Sequence, residues 1–123
     1  MSTRTLLMVA AVVTLVFGVG LLLIPNIIGP TYGFGTSPAE ILLGRFIGAA
    51  FLAIGLINWY SKDAGYAVLR PVIIGNLVGD AAGFIVSLQG TLGGVMSSVG
   101  WLSVALYLLL GLGFAFFLFM GKR

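Results

Sequence analysis

The chain has 123 residues and a formal net charge of +3, and 60% of its residues are hydrophobic while only 7% are charged. Soluble domains carry about 25% charged residues, so this composition excludes a soluble globular domain, and its apolar excess excludes a disordered chain; an integral membrane protein remains. Cysteine and histidine are absent, which excludes a disulfide framework and the usual ligands of zinc, iron and haem, so no cofactor is expected.

Four apolar segments each come close to the ~20 residues that a helix needs to cross the hydrocarbon core of a bilayer. The first segment ends at Pro25 and Asn26, a helix-breaking pair, and a glycine-rich polar loop is expected after it. Ser37, Pro38 and Glu40 predict the start of the second helix as a capping box, which accounts for Glu40 without a functional role. We predict one transmembrane domain over residues 1–123, with helices at about 5–24, 38–60, 66–89 and 99–120.

The start of the third helix is open between two positions. The helix begins either near Tyr66, with a kink at Pro71, or at Pro71 itself. Residues 90–98 carry no charge and predict the loop before the fourth helix.

The basic residues predict the orientation of the helices. If the spans alternate across the bilayer, five of the six basic residues fall on one side: Arg4, Lys62, Arg70, Lys122 and Arg123. Cytoplasmic loops carry such an excess, so we predict an all-α, antiparallel four-helix transmembrane bundle with both termini in the cytoplasm. Aromatic residues are expected at the two interfaces, Trp59 and Tyr60 inside, Tyr32 and Trp101 outside. The basic residues form no patch that would bind nucleic acid.

Two sets of glycines predict close helix packing. Lipid gives helices no hydrophobic reason to associate, so small residues that allow close backbone approach mark packing faces. The packing could lie within the bundle or against another copy or a partner subunit. The glycines are Gly44, Gly48 and Gly55 on the second helix and Gly75, Gly79 and Gly83 on the third.

Arg45 and Asp80 lie inside predicted helices, where a charge costs roughly 2.5–3.5 kcal/mol on insertion scales. At 1.5 Å per residue, both are about 10–14 Å below the same predicted membrane surface. Because their helices are consecutive and antiparallel, we predict an Arg45–Asp80 ion pair inside the bundle. The pair could be structural, or it could form a ligand, proton or ion site with nearby polar residues: Asn76, Ser87, Ser103 and Tyr107.

The segments at residues 44–50 and 53–56 resemble the second-helix pattern of small bacterial membrane proteins of the DoxX-like and DUF4345-like type. The run at residues 79–83 and the pair Gly100–Trp101 are also similar to such proteins. The resemblance implies a four-helix bundle in the bacterial cytoplasmic membrane. It also suggests, by analogy with DoxX-like subunits of oxidoreductase assemblies, a role as a small membrane subunit.

Two functions follow from these patterns. The first is a non-enzymatic accessory or structural subunit of a membrane complex, or a homo-oligomer, whose partners are the lipid bilayer and other membrane subunits or itself. The alternative is a small transporter, channel or lipophilic-ligand-binding protein that uses Arg45, Asp80 and Asn76. An enzyme is not expected, because a lone acid–base pair is weak evidence for catalysis, which would need Asp80 or Tyr107 as an acid or base in an apolar pocket.

Overall fold

The computed structural model describes residues 2–120, and the predicted inner-side positions of Lys122 and Arg123 lie outside that range. Within this range all regular secondary structure is helical and there are no strands, as predicted. Four of the helices are long and apolar enough to cross a membrane. The helices are α1 (Thr3–Leu23), α2 (Pro25–Thr31), α3 (Pro38–Ser61), α4 (Tyr66–Leu92) and α5 (Gly100–Phe119).

The short helix α2 replaces the loop that was predicted after residue 24. Ile24 leaves the helical region, with φ −132° and ψ 51°, and so ends α1 as predicted. Pro25 then occupies the first position of a new helix, where a missing N–H costs nothing and the fixed φ of proline is favourable. A helix-breaking proline therefore also starts a helix here, and the prediction of an irregular loop was wrong for residues 25–31.

The predicted capping box at the start of α3 is confirmed. The backbone N–H of Glu40 donates to the Ser37 hydroxyl at 3.2 Å, and the backbone N–H of Ser37 donates to the Glu40 carboxylate at 3.3 Å. The Gly35 N–H also donates to that carboxylate, at 2.6 Å. Glu40 thus satisfies backbone donors that a helix start would otherwise leave unpaired.

Helix α4 begins at Tyr66 and continues through Pro71, which decides between the two predicted starts. It also extends to Leu92, beyond the predicted end at residue 89. With 27 residues, α4 is about 40 Å long at 1.5 Å per residue. Asp80 therefore lies near its midpoint, about 20 Å from either end.

The helices pack as two pairs, α1 with α3 and α4 with α5, and the pairs contact each other only sparsely. In the α1/α3 pair, a Cβ atom on Gly48 would lie 2.8 Å from the carbonyl oxygen of Gly18. Only glycine permits this backbone approach. In the α4/α5 pair, the ring of Tyr107 packs directly over Gly83.

The pairs meet at both ends of the molecule. At the Arg4 end, Arg4 Nε donates to Asp63 in the α3–α4 loop at 2.6 Å. This exposed pair adds little stability but places the start of α1 beside that loop. At the Tyr32 end, the Ser97 N–H donates to the Tyr32 carbonyl oxygen at 2.8 Å, which links the α2–α3 segment to the α4–α5 loop. Gly33 allows this approach, since its φ of +95° and its closeness to Ser97 both disfavour a side chain.

The buried apolar core lies towards the Arg4 end. It contains Leu6, Leu7 and Ala10 of α1, Ile73 of α4 and Phe114 of α5. Phe114 is completely buried, so this cluster joins the two pairs on one side of the middle of the bundle. Between the core and the Tyr32 end the two helix pairs separate and leave a cavity between them.

Candidate functional site: a cavity between the two helix pairs

A cavity of about 350 Å³ lies between the α1/α3 pair and the α4/α5 pair. It extends from the Tyr32 end, where Phe34 and Met96 form its rim, to Asp80 and Leu110 in the middle of the bundle. Ligand pockets typically have volumes of about 300–1,000 Å³ and mostly apolar walls. This cavity has both features, and five aromatic side chains line it: Phe17, Tyr32, Phe34, Phe51 and Tyr107.

Asp80 lines the cavity without a partner. Its Oδ2 atom is buried and accepts no hydrogen bond from residues 2–120. The side chain lies beside α5, where a Cβ added at Gly111 would lie 3.4 Å from the Asp80 Cβ. A carboxylate at the middle of a membrane-length helix is costly, and in membrane proteins such groups face a bundle interior or a cavity. Here the structure offers it a cavity.

The predicted Arg45–Asp80 ion pair is not formed. Arg45 is exposed, does not line the cavity and makes no ion pair with any residue of the described chain. The prediction assumed that consecutive antiparallel helices pack side by side. Instead α3 packs on α1 through Gly48 and has few contacts with α4, and Arg45 stays exposed.

Asn76 binds Asn58, which was not among the predicted polar residues. The Asn76 and Asn58 side chains exchange two hydrogen bonds, of 2.9 and 2.7 Å, and Asn76 also donates to the Val72 carbonyl oxygen. Asn58 is only 1% exposed. An amide buried in an apolar helix needs a partner, so Asn58 itself was the signal that could have predicted this contact between α3 and α4.

The other predicted polar residues separate into two groups. Ser103 bonds to the Tyr32 hydroxyl at 3.1 Å, and Ser103 and Tyr107 line the same cavity as Asp80. Ser87 instead donates to the carbonyl oxygen of Gly83 within its own helix and does not line the cavity. The structure thus brings together three of the six predicted cluster residues, namely Asp80, Ser103 and Tyr107.

Tyr32, which was expected at the outer interface, is buried at the cavity wall. Its ring meets Phe17 edge to face, with centroids 6.4 Å apart. Trp101, the other predicted outer anchor, is exposed.

The predicted packing glycines fall on two kinds of surface. Gly48 and Gly55 face α1, Gly44 faces the junction of α1 and α2 at Leu21 and Pro25, and Gly83 faces Tyr107. Gly75 and Gly79 are exposed, and a Cβ on either would meet nothing within 4 Å.

Charge is distributed unevenly around the cavity. The carboxyl groups of Asp80 and Glu40 line it, and no Lys or Arg of the described chain does. Glu40 lies near the rim and already accepts hydrogen bonds from Ser37 and Gly35, whereas Asp80 has no partner. Of the two carboxyl groups, Asp80 is therefore the one whose hydrogen-bonding capacity is unused.

Comparison of the chain with protein-family models, with curated proteins and with solved structures gives no match. The resemblance to DoxX-like and DUF4345-like proteins accordingly stays a prediction.

Proposed function

We propose that this chain is a multi-spanning membrane protein that binds a small lipophilic ligand between its two helix pairs. The observation that carries the proposal is the unpartnered carboxylate of Asp80 in the wall of an apolar, aromatic cavity. Burying a polar group without a partner costs free energy, and a ligand that contacts Asp80 would recover it. The same site would serve binding alone or the binding step of a transporter.

The bacterial cytoplasmic membrane, with both termini inside, is part of this proposal. Four helices are long and apolar enough to span a bilayer, which supports a membrane protein. Arg4 and Lys62 lie at the same end of the bundle, which supports a cytoplasmic location for that end. The bacterial source rests on the sequence resemblance.

The proposal is tested by filling the cavity. Leu106 lines it, so Leu106→Trp is expected to abolish saturable binding of an apolar probe such as neopentylbenzene. Met96 also lines the cavity, and its ¹³C-labelled methyl group reports occupancy by NMR in detergent micelles. Leu109→Trp is the matched control, because Leu109 is on the same helix but 66% exposed. Equal binding by Leu106→Trp and by the wild-type protein would contradict the proposal, and so would a wild-type protein that binds neither this probe nor a charged probe of the same shape.

The second candidate function is that of an accessory subunit or homo-oligomer. It is favoured by Gly75 and Gly79, whose open surface on α4 is of the kind that helices use for close association in lipid. The two functions are compatible, since this surface and the cavity are on different faces of the bundle.

A further inference from the structure

We propose that the ligand is a lipophilic organic cation whose positive group contacts the Asp80 carboxylate. This inference rests on the proposed function and names the class of molecule that the same cavity selects. Three properties of the cavity carry it: its charge, its aromatic walls and the apolar character of the remaining surface.

The cavity is lined by two acidic residues, and no Lys or Arg among residues 2–120 lines it. Asp80 and Glu40 line the space, while the nearest candidate in the sequence, Arg45, lies outside it. In a low-dielectric interior an uncompensated carboxylate attracts an opposite charge strongly. An anionic ligand would face repulsion from the same groups, and a neutral one would leave Asp80 uncompensated.

The aromatic walls favour the same class. Five aromatic rings line the same cavity as Asp80, and the hydroxyl of one of them, Tyr32, bonds to Ser103. Faces of aromatic rings attract cations within about 6 Å, and cages of such rings are the usual means of binding quaternary ammonium groups. A carboxylate combined with these rings can bind a cation that has no hydrogen to donate.

The remaining walls fit a hydrocarbon body. Val13 and Leu21 of α1 and Leu106 and Leu110 of α5 surround the space between Asp80 and the rim. A ligand of this kind would place its charge at Asp80 and bury its apolar part along these side chains. Each buried CH₂ adds about 0.8 kcal/mol, so such a ligand gains affinity from both ends.

The experiment compares two probes of the same shape and different charge. Benzyltrimethylammonium and its carbon isostere neopentylbenzene are titrated against the full chain in micelles, with dissociation constants expressed as mole fractions in the micelle. The Met96 methyl resonance reports the cavity, and Met8, which does not line it, serves as an internal reference. We expect wild-type protein to prefer the cation by about tenfold or more, which corresponds to about 1.4 kcal/mol.

Asp80→Asn keeps the side-chain shape and removes the charge. It is expected to reduce the preference to less than about threefold, with binding of neopentylbenzene retained. Asp63→Asn is the matched control, because Asp63 is exposed at the Arg4 end, and it should leave the preference unchanged. Circular dichroism checks that each variant keeps its helices.

The outcomes separate the two proposals. If neither probe shifts the Met96 resonance, the proposed ligand-binding function fails. If both probes bind equally to the wild-type protein, the ligand-binding function stands and the cation selectivity is wrong. This comparison uses the wild-type protein alone, so it does not depend on whether a variant folds. A preference that survives in Asp80→Asn would also overturn the assignment to Asp80.

Discussion

Asn58 and Asn76 illustrate how single polar residues are accommodated inside an apolar bundle. Each amide satisfies the other through two hydrogen bonds, at a place where α3 and α4 otherwise have few contacts. In lipid an unpaired amide is costly, so the pair specifies which faces of the two helices meet. The polar link therefore compensates for sparse packing between the two helix pairs.

We expect the two asparagines to be energetically coupled. Asn58→Ala, Asn76→Ala and the double variant form a thermodynamic cycle, measured as unfolding in mixed micelles by circular dichroism. A coupling energy of about 0.6–1.7 kcal/mol is expected, the range found for hydrogen bonds between membrane helices. Asn26→Ala, at an exposed position, should leave the free energy of unfolding nearly unchanged. Strictly additive effects of the two substitutions would show that the hydrogen bonds contribute nothing.

At the scale of secondary-structure elements, a glycine lies against the backbone of a neighbouring helix in one case and faces open space in another. Gly48 of α3 faces the backbone of α1, with Gly18 O at 2.8 Å and Leu22 N at 3.0 Å from a hypothetical Cβ. Neither atom can move unless the helices separate. Gly79 of α4 faces open space, where a methyl group meets nothing. The same residue type is thus required for packing at one position and not at the other.

Substitution by alanine should separate these two situations. Gly48→Ala is expected to lower the free energy of unfolding by about 1–3 kcal/mol, because overpacking forces the backbones apart. Gly79→Ala should raise it by about 0.4–1 kcal/mol, because alanine restricts the unfolded chain without a clash. Both are measured in dilute detergent, where association does not contribute. Equal effects of the two substitutions would contradict the α1–α3 contact.

At the scale of the whole molecule, the bundle leaves one surface of small residues open on α4. Gly75 and Gly79 lie one turn apart on that surface, and Ala82 continues it nearly one turn further on. The loops between the described helices are short, so a partner inside a membrane would meet helix faces of this kind. The surface is separate from the cavity, which opens between the helix pairs.

We expect the protein to associate in mild detergent through this surface. Gly79→Leu should weaken association by about tenfold or more, measured as particle mass by light scattering, because close helix approach is lost. Ala105→Leu enlarges an exposed small residue on α5 and serves as the control. A wild-type protein that is monomeric and free of partners when gently extracted would contradict this second function.

Part of the candidate site could be predicted from the sequence. Asp80, Ser103 and Tyr107 were identified because polar side chains are conspicuous in apolar helices, and all three line the cavity. The partner proposed for Asp80 was wrong, since depth along a helix does not specify the direction of a side chain. The aromatic walls were missed because Phe17 and Phe51 look like ordinary apolar residues until two helices place them across one space.

The sequence by itself determined the four long helices and the capping box at Ser37, because hydrophobic length and helix-start chemistry are local properties of the chain. Only the tertiary structure decided that α1 pairs with α3 and α4 with α5, and that a cavity with a free carboxylate lies between the pairs. The helices are apolar on nearly all sides, so no amphipathic pattern distinguishes an inner face from a lipid-facing one. In lipid, helix pairing depends on the fit between residues far apart in the chain, such as Gly18 with Gly48 and Gly83 with Tyr107.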